Sequence, residues 1–560
     1  MKRWALSTLL LIFVISIFMR LYPLAHYTIW GSDTGEYYYL TQRLVNDGAI
    51  SFSYNGWGFG YPYFQGMFIL VGGFQLISGI DLLNLMLYLT PIIASMIIFP
   101  IFLISKKMFA DDRAALIAAG ILGLTFPHVF PTSHPMPGAI GDLIALVCLW
   151  LFIEARDNRK YVLPLIFLTF VLIITHHLST YFLLISVIFI VFLREVLQRH
   201  SDMKTTNLDS FYVLFLLTST ILYWTLIAIP FRDKIMSTAF DIEFSYIILL
   251  IYVCILFIPI IVWTRRKMLC QYLPKFPTHS VVLALFGVAL VGIFSAVFAL
   301  TFTKVPSTDI AIDKSVLVLL SPIFFVMAFT IVGTKFSRFY KNGIYIYAWL
   351  GAIALSFIFM SVINNRVIMP YRHFQYMFEP MAILIGLGIV KFYEYWSRDC
   401  SSLKKAAAIA GMVLLITVST FSAYPARGVM GGFEEGTTET ELYSVYWAKI
   451  NIEKPATVAT DHRMSSMIFG FADINASWDY ADRVLHGKNF TEAEGQIDSC
   501  KAPSGVKSID YVLLSNAIKE GVALLQWEPA EQLSSDAVEK FNNEPFIKIY
   551  DSGEVQIYRV

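Results

Sequence analysis

The chain has 560 residues, of which 57% are apolar and only 15% charged. This composition excludes an ordinary soluble globular protein and makes the lipid bilayer its main solvent. The formal net charge of +1 is the sum of a net charge of +10 in residues 1–424 and a net charge of −9 in residues 425–560. We therefore expect two different parts, and no nucleic-acid partner.

Apolar runs that can cross a hydrocarbon core of about 30 Å recur along the first part. The sequence predicts an all-α polytopic membrane bundle of about 13 transmembrane helices, the first a retained signal anchor. A further apolar segment, 64–79, is interrupted by glycines and is interpreted as an interfacial or re-entrant helix. The thirteen runs are 5–25, 82–105, 114–130, 138–155, 161–175, 178–193, 211–230, 244–263, 280–302, 315–333, 344–363, 374–390 and 405–424.

The positions of Lys and Arg predict how these helices are oriented, because basic residues resist translocation. With the N-terminus in the cytoplasm, 22 of the basic residues before position 425 fall on the cytoplasmic side and 8 on the other. An odd number of spans then places residues 425–560 outside the cytoplasm. We expect a transmembrane domain at 1–424 and an extracytoplasmic domain at 425–560.

The first outer loop, 26–81, is the longest in the membrane part. Asp33 and Glu36 lie three residues apart, which places them on one face if the stretch is helical. Aromatic residues such as Tyr37 and Trp57 surround them. A carboxylate surrounded by aromatic rings suits general-base catalysis on a hydroxyl acceptor, and aromatic faces stack well on sugar rings. A water-exposed helix cap beside an interfacial aromatic belt explains the same pattern equally well.

The second outer loop brings Asp142 to the start of the fourth span, near His134. Together with Asp33, these residues are candidate ligands for a divalent metal such as Mg²⁺ or Mn²⁺, although their spacing matches no metal motif. The simpler interpretation is that the histidines are interfacial and satisfied by water or backbone.

The loop before the twelfth span carries Arg366, Arg372 and His373, followed by Glu379 within the apolar run. Two arginines at a membrane interface can clamp a lipid phosphate through bidentate hydrogen bonds. The alternative is simple headgroup anchoring. An intramembrane carboxylate such as Glu379 favours the clamp, because it can orient an arginine.

Residues 425–560 lack long apolar runs and predict a small α/β domain. The segments 456–460 and 510–514 indicate short buried strands, and the final stretch alternates about Asp551-Ser552-Gly553 as a β-hairpin does. Both N-x-S/T sequons, at Asn475 and Asn489, lie here, in agreement with an outside location.

These features, in this order, resemble the GT-C superfamily of membrane glycosyltransferases, which take a sugar from a polyprenyl-phosphate carrier on the extracytoplasmic side. The resemblance rests on GSDTGEYYYLTQRL in the first loop, GYPYF before the second span and RHFQYMFEPMAILIGLG at the twelfth. It implies that Asp33 is the catalytic acid residue, with Glu36 as a second candidate. It also implies that Arg372, with Arg366 and His373, binds the carrier phosphate.

Within this superfamily, the oligosaccharyltransferase catalytic subunits are similar in span number and in having an outer C-terminal domain. They carry a WWDYG motif, and this chain has SWDYA at 477–481, in which Trp478, Asp479 and Tyr480 fit. Their paired second-loop acids and long fifth outer loop have no counterpart here. An oligosaccharyltransferase-like transfer of a lipid-linked glycan to protein is therefore the second hypothesis.

The resemblance implies an inverting glycosyltransferase in the membrane, whose partners are a polyprenyl-phosphate-linked sugar donor, membrane lipid and an acceptor glycan, lipid or protein. A multi-spanning transporter is the alternative from another class. It is disfavoured because the sequence has no evident internal repeat and its polar groups gather at one boundary.

Overall fold

A computed structural model describes residues 2–50, 52, 54–197, 206–240, 277–362, 368–397, 401–427, 431–524 and 528–560. Its N-terminal part is a bundle of helices, and its C-terminal part mixes short helices with a small sheet. The α-helices of the N-terminal part are Arg3–Leu21, Thr34–Asp47, Gly66–Ser78, Leu82–Asn84, Thr90–Ser95, Ile98–Phe109, Asp112–Leu124, Val129–Thr132, Pro137–Ala155, Val162–Thr175, His177–Leu197, Asn207–Leu226, Ile229–Phe240, His279–Leu300, Val316–Leu319, Ser321–Ser337, Gly343–Val362, His373–Trp396 and Ser402–Phe421.

Nine helical segments within the described ranges are long and apolar enough to cross a membrane. One of them, Leu82–Phe109, is continued through a π-helical turn at Leu85–Leu89. Three other predicted spans form shorter helices, and the predicted run 244–263 lies outside the described residues. The protein is thus a multi-pass membrane protein, while the count of thirteen stays a prediction. The three shorter helices are Asp112–Leu124, Val162–Thr175 and Ser321–Ser337.

The segment 64–79 forms the helix Gly66–Ser78, which has 13 residues. At about 1.5 Å per residue, it is roughly 20 Å long, less than the hydrocarbon thickness. Its length therefore fits the interfacial or re-entrant interpretation.

Glycines allow close helix contacts in the described part of the bundle. A Cβ added to Gly333 would lie 1.8 Å from the carbonyl oxygen of Leu384, and one added to Gly386 would lie 2.3 Å from that of Ala114. Backbones that approach this closely need glycine, a common device in membrane helix packing. The helix His373–Trp396 is thereby fixed between two neighbours, and it presents Arg372 at its N-terminal end.

The C-terminal part contains a five-stranded mixed sheet in the order β4-β3-β7-β9-β8. Strands β3 and β7 match the two predicted strands, and β8 and β9 form the predicted antiparallel hairpin. The strands are β1 Ile29–Trp30, β2 Gly436–Thr437, β3 Thr457–Ala459, β4 Asn475–Ala476, β5 Cys500–Ala502, β6 Gly505–Lys507, β7 Tyr511–Ser515, β8 Ile547–Asp551 and β9 Val555–Arg559. The α-helices of this part are Glu439–Asn451, His462–Met467, Asp482–His486, Phe490–Asp498, Asn516–Glu520 and Ser535–Glu539, and a π-helical turn spans Ile468–Ala472.

The first loop is joined directly to this C-terminal part. Strand β1 of the loop pairs antiparallel with β2, so that Trp30 lies opposite Gly436. A Cβ on Gly35 would lie 2.1 Å from the carbonyl oxygen of Ser466, and one on Gly470 would lie 2.0 Å from that of Gly35. The helix Thr34–Asp47 is therefore pressed backbone to backbone against the C-terminal part.

Candidate active site

A cavity of about 1320 Å³ lies between the first loop, the bundle and the C-terminal part. Its polar lining includes Asp33, His134, Arg372, Glu435 and Asp479. Part of its apolar lining comes from the membrane helices His279–Leu300 and Ser321–Ser337. These apolar residues are Ile293, Val297, Leu300, Ile323, Phe324 and Met327.

Asp33 directly precedes the helix Thr34–Asp47, at its N-cap position, and its side chain makes no capping bond. It turns instead to the cavity, where Oδ2 accepts hydrogen bonds from Tyr61 at 3.2 Å and Tyr37 at 3.4 Å. Its other oxygen, Oδ1, lies 3.2 Å from Nε2 of His462. Burial opposes ionisation, but the hydrogen bond and charge of His462, with smaller help from Tyr61 and Arg372, hold the pKa of Asp33 below its ordinary value.

His462 begins a short helix just after strand β3 and is 1% exposed. Its Nδ1 lies 3.0 Å from Oδ1 of Asp479, so the imidazole bridges two carboxylates. Burial disfavours its charged form, but the hydrogen bonds to Asp33 and Asp479 outweigh burial and raise the pKa of His462 well above its ordinary value. His462 is therefore an imidazolium that donates from both ring nitrogens.

Neighbouring residues fix this bridge in place. Trp57 donates its indole N–H to the second oxygen of Asp479 and packs edge-on against His462, with ring centroids 4.7 Å apart. The next residue, Arg463, makes two hydrogen bonds of 2.6 Å to Glu441. It also donates to the carbonyl of Gly436 in β2, at 2.9 Å. The first loop and the C-terminal part thus hold His462 from both sides.

Glu36 lies in the first turn of the helix Thr34–Asp47 and, unlike Asp33, does not line the cavity. Its side chain is fully buried beneath the first loop, where Oε1 accepts from the Gly58 backbone N–H at 2.7 Å and from Tyr54. Its Oε2 has no hydrogen-bond partner among the described residues. Burial raises the pKa of Glu36 to about 7, against the opposing effect of these two bonds.

The predicted phosphate-binding residues are placed differently from one another. Arg372 lines the same cavity as Asp33, with its guanidinium 5.9 Å from the Tyr371 ring. His373 is fully buried instead, bonded to Ser356 at 2.9 Å and to the Met369 carbonyl at 3.2 Å. Arg366 lies outside the described residues.

The three predicted metal ligands are not all at one place. His134 lines the cavity with Asp33, and its Nε2 is buried with no hydrogen-bond partner in the described ranges. Asp142 lies within the bundle, where it contacts His128 at 3.0 Å. Ligand atoms of His128, Asp142 and Glu379 lie within 4.8 Å of one another, in a group separate from Asp33. Glu379 therefore lies with His128 and Asp142 rather than with Asp33.

Sequence reasoning missed His462 as a site residue and gave SWDYA little weight. The available signal was position: Asp461-His462 follows the buried strand β3, and polar residues at the carboxyl end of a parallel strand often reach a site. Asp479 belongs to SWDYA, just after strand β4, which pairs parallel with β3. Both strands therefore end at the same edge of the sheet.

Comparisons with known proteins give likeness in structure only: no protein-family model and no curated protein sequence matches the chain. The fold matches archaeal oligosaccharyltransferase AglB from Archaeoglobus fulgidus, in complex with an inhibitory peptide and a dolichol-phosphate. That match has a TM-score of 0.57 at 15% identity and covers 92% of this chain and 69% of that one. AglB in complex with Zn and sulfate matches with a TM-score of 0.54 at 12% identity, over 92% and 68%.

This chain has the fold of the GT-C glycosyltransferases. ArnT from Cupriavidus metallidurans bound to undecaprenyl phosphate also matches, over 99% of this chain and 97% of that one. Its identity is 10% and its TM-score 0.46, too low to add to the assignment. At such identities the GT-C likeness describes the fold, so donor and acceptor have to be inferred from the cavity of this chain.

Proposed function

We propose that the protein is a glycosyltransferase that moves a sugar from a polyprenyl-phosphate carrier to a hydroxyl acceptor on the extracytoplasmic face. The observation that carries this proposal is the shared cavity: Asp33 and Arg372 both line it, and it continues along apolar membrane helices. A lipid-linked donor needs these three features together, namely an acceptor-activating group, a phosphate-binding cation and an apolar path for the lipid.

Arg372 is the proposed contact for the carrier phosphate. Its guanidinium can donate two parallel hydrogen bonds to phosphate oxygens. As the bond from the anomeric carbon to the phosphate oxygen breaks, the electron pair leaves with the phosphate, and Arg372 stabilises the added charge. The apolar residues of the helices His279–Leu300 and Ser321–Ser337 would contact the polyprenyl chain.

Asp33 is the proposed acceptor-activating residue. Its lowered pKa keeps it ionised at neutral pH, so it can accept the hydrogen bond of the acceptor hydroxyl. The acceptor oxygen attacks the anomeric carbon from the face opposite the phosphate, its proton passes to Asp33, and the configuration inverts. Because a carboxylate of low pKa is a weak base, this proton moves late, when the new bond is largely formed.

His462, Tyr61 and Tyr37 are the proposed positioning residues for Asp33. The imidazolium pairs with the carboxylate on one side, and the two phenols donate to it on the other. Glu36 is buried away from the cavity lining, and we propose that it holds the turn at Gly58. The proposed reaction assigns no role to a divalent cation such as Mg²⁺ or Mn²⁺, because both oxygens of Asp33 are engaged by His462, Tyr61 and Tyr37. Among the described residues, the side chains grouped closely enough to hold a metal are His128, Asp142 and Glu379.

Transfer to a peptide is the second candidate. It is supported by the cavity lining supplied by the C-terminal part, which includes Asp479 and Tyr480 of SWDYA, and by the fold shared with AglB. An asparagine amide would then take the place of the hydroxyl.

The test uses purified protein with carrier-linked sugars labelled in the sugar. Release or transfer of label that requires Asp33 and Arg372 is the expected result, and adding sequon peptides or sugar alcohols separates the two candidates. Intact donor that only exchanges across vesicles would identify a transporter and overturn the proposal.

A further inference from the structure

A second group of polar side chains lies inside the bundle, apart from the proposed reaction. Asp142 accepts hydrogen bonds at Oδ2 from His128 Nε2 at 3.0 Å and from Gln375 at 2.9 Å. The carboxyl group of Glu379 lies against that of Asp142, and Arg20 reaches His128 from the other side. Arg20, His128, Asp142 and Glu379 are each at most 3% exposed. Charges buried this deeply must be balanced locally.

The contacts of Arg20 define the state of His128. Arg20 donates to the Thr132 hydroxyl, to the Ser16 hydroxyl and to the Gly123 carbonyl. Its contact of 3.1 Å to His128 Nδ1 requires a lone pair on that nitrogen because guanidinium has no acceptor. The proton of His128 is then on Nε2, where it donates to Asp142. His128 is neutral, and both its ring nitrogens are used.

The formal charges of Arg20, His128, Asp142 and Glu379 leave one negative charge uncompensated. Arg20 balances one carboxylate, His128 contributes none, and the second carboxylate has no counter-charge in this group. Neutrality requires either a proton shared between Asp142 and Glu379 or one monovalent cation beside them. A divalent ion would turn the net charge of the group from −1 to +1, which leaves one buried charge uncompensated.

A small cavity of about 20 Å³ adjoins the two carboxyl groups. Three oxygens of its lining residues, Asp142 Oδ1, Glu379 Oε1 and Ser186 Oγ, make no hydrogen bond with protein donors in the described part of the chain. The space holds one water or one small ion. Tyr376 lines both this cavity and the large one.

We propose that Asp142, Glu379 and Ser186 bind one Na⁺ ion. The ligand set is oxygen alone, because both nitrogens of His128 are occupied, and oxygen ligands select hard cations over zinc or copper. The charge balance selects a monovalent ion, and the small cavity favours Na⁺ or Li⁺ over K⁺. The ion reaches the site from the large cavity past Tyr376 and Gln375.

The direct test is binding of ²²Na⁺ to the purified full-length protein in detergent at about pH 8, since protons compete for the two carboxylates. We expect about one ion per chain, displaced by unlabelled Na⁺ or Li⁺ at least ~10-fold more effectively than by K⁺, Mg²⁺ or choline. The titratable groups that face the carboxyl pair are Arg20, His128 and Tyr376.

Three variants test which side chains bind the ion. Glu379→Gln removes one ligand charge and should abolish binding, whereas Ser186→Ala removes one neutral ligand and should weaken binding about 10-fold. Glu154→Gln is the matched control, because Glu154 is on the same helix as Asp142 but pairs with Lys107 at 3.1 Å. Its binding should equal that of the wild type.

Thermal unfolding provides a readout that does not need the radiolabel. The wild type should unfold about 2 °C or more higher in NaCl than in choline chloride, and Glu379→Gln should lose this difference. Absence of ²²Na⁺ binding by the wild type, or stability that depends on pH but not on Na⁺, would overturn the proposal in favour of a shared proton. Equal binding by Glu379→Gln would overturn it by showing that the ion binds elsewhere. Displacement by Mg²⁺ at lower concentration than by Na⁺ would contradict the charge balance.

Discussion

His462 Nε2 donates a hydrogen bond of 3.2 Å to Asp33 Oδ1, joining two residues that are 429 positions apart in the chain. The first loop supplies the carboxylate, and the C-terminal part supplies the cation that orients it. Both parts are therefore needed for the proposed chemistry.

The central prediction concerns Asp33→Asn. The amide can still accept from Tyr61, but it carries no charge and cannot take a proton, so we expect transfer to fall about 10²–10⁴-fold. The measurement is the initial rate with a labelled polyprenyl-phosphate sugar, alongside the thermal midpoint of the purified variant. A near-normal rate in a folded variant would refute the role of Asp33.

His462 and Asp479 should act as a coupled pair. Asp479→Asn removes one of the two carboxylates that raise the pKa of His462, so the imidazolium should lose its proton at a lower pH. The alkaline limb of kcat against pH should move to lower pH. His462→Ala should lower kcat about 10²-fold and remove that limb.

A double-mutant cycle provides the control for this pair. Adding Asp479→Asn to His462→Ala should cost little more than His462→Ala alone, because Asp479 acts through the imidazole. Fully additive losses would mean that Asp479 acts on its own, for example on the acceptor.

Arg372→Lys tests bidentate contact with phosphate. Lysine keeps the charge but offers a compact ammonium rather than a planar fork, so we expect kcat/KM for the lipid-linked donor to fall about 10-fold, and further in Arg372→Gln. Lys314→Gln removes an exposed basic residue elsewhere and should leave donor kinetics unchanged. Equal effects of Arg372→Gln and Lys314→Gln would argue for general membrane attraction.

Glu36 should make stability depend on pH. Its folded pKa of about 7 exceeds its ordinary value of 4.5, so the folded state binds the extra proton between these values. The contribution is fully present below about pH 4.5 and is lost as pH rises through about 7, a change on the order of 3 kcal/mol.

The variant Glu36→Gln isolates this effect from other titrating groups. Its unfolding free energy should change less between about pH 5 and 8 than that of the wild type, with the variant relatively more stable at the higher pH. Identical pH dependence of the two proteins would show that Glu36 does not titrate in this range.

Gly35→Ala tests the contact between the first loop and the C-terminal part. The new Cβ would lie 2.1 Å from a backbone oxygen of Ser466, so the two parts must separate and both transfer rate and thermal midpoint should fall. Gly73→Ala is the matched control, since nothing lies within 4 Å of its added Cβ and alanine favours helix. Limited proteolysis of both variants reports whether the contact has opened.

Sequence reasoning predicts the parts of this protein that depend on local pattern. Apolar run length locates most helices, and alternation about Asp551-Ser552-Gly553 locates the β8–β9 hairpin. The distribution of basic residues also groups Asp33 with Arg372, and both line one cavity.

The remainder depends on contacts that no local pattern encodes. The spacing of Asp33 and Glu36 predicts a shared face if both residues are helical. Asp33 lies just before the helix, and only Asp33 lines the cavity. His462 reaches Asp33 across an interface that includes the pairing of strands β1 and β2 and the backbone contact of Gly35 with Ser466. Asp142 points into the bundle because its carboxylate accepts hydrogen bonds from His128 and Gln375 there.

The pairing of β1 with β2 has a consequence for biosynthesis. Asp33 is synthesised more than 400 residues before the histidine that orients it, so a nascent or truncated chain inserts its membrane helices without a complete centre. Under the proposed mechanism, transfer can begin only once the C-terminal part has been translated and has folded against the first loop. The order of the chain itself delays the onset of activity.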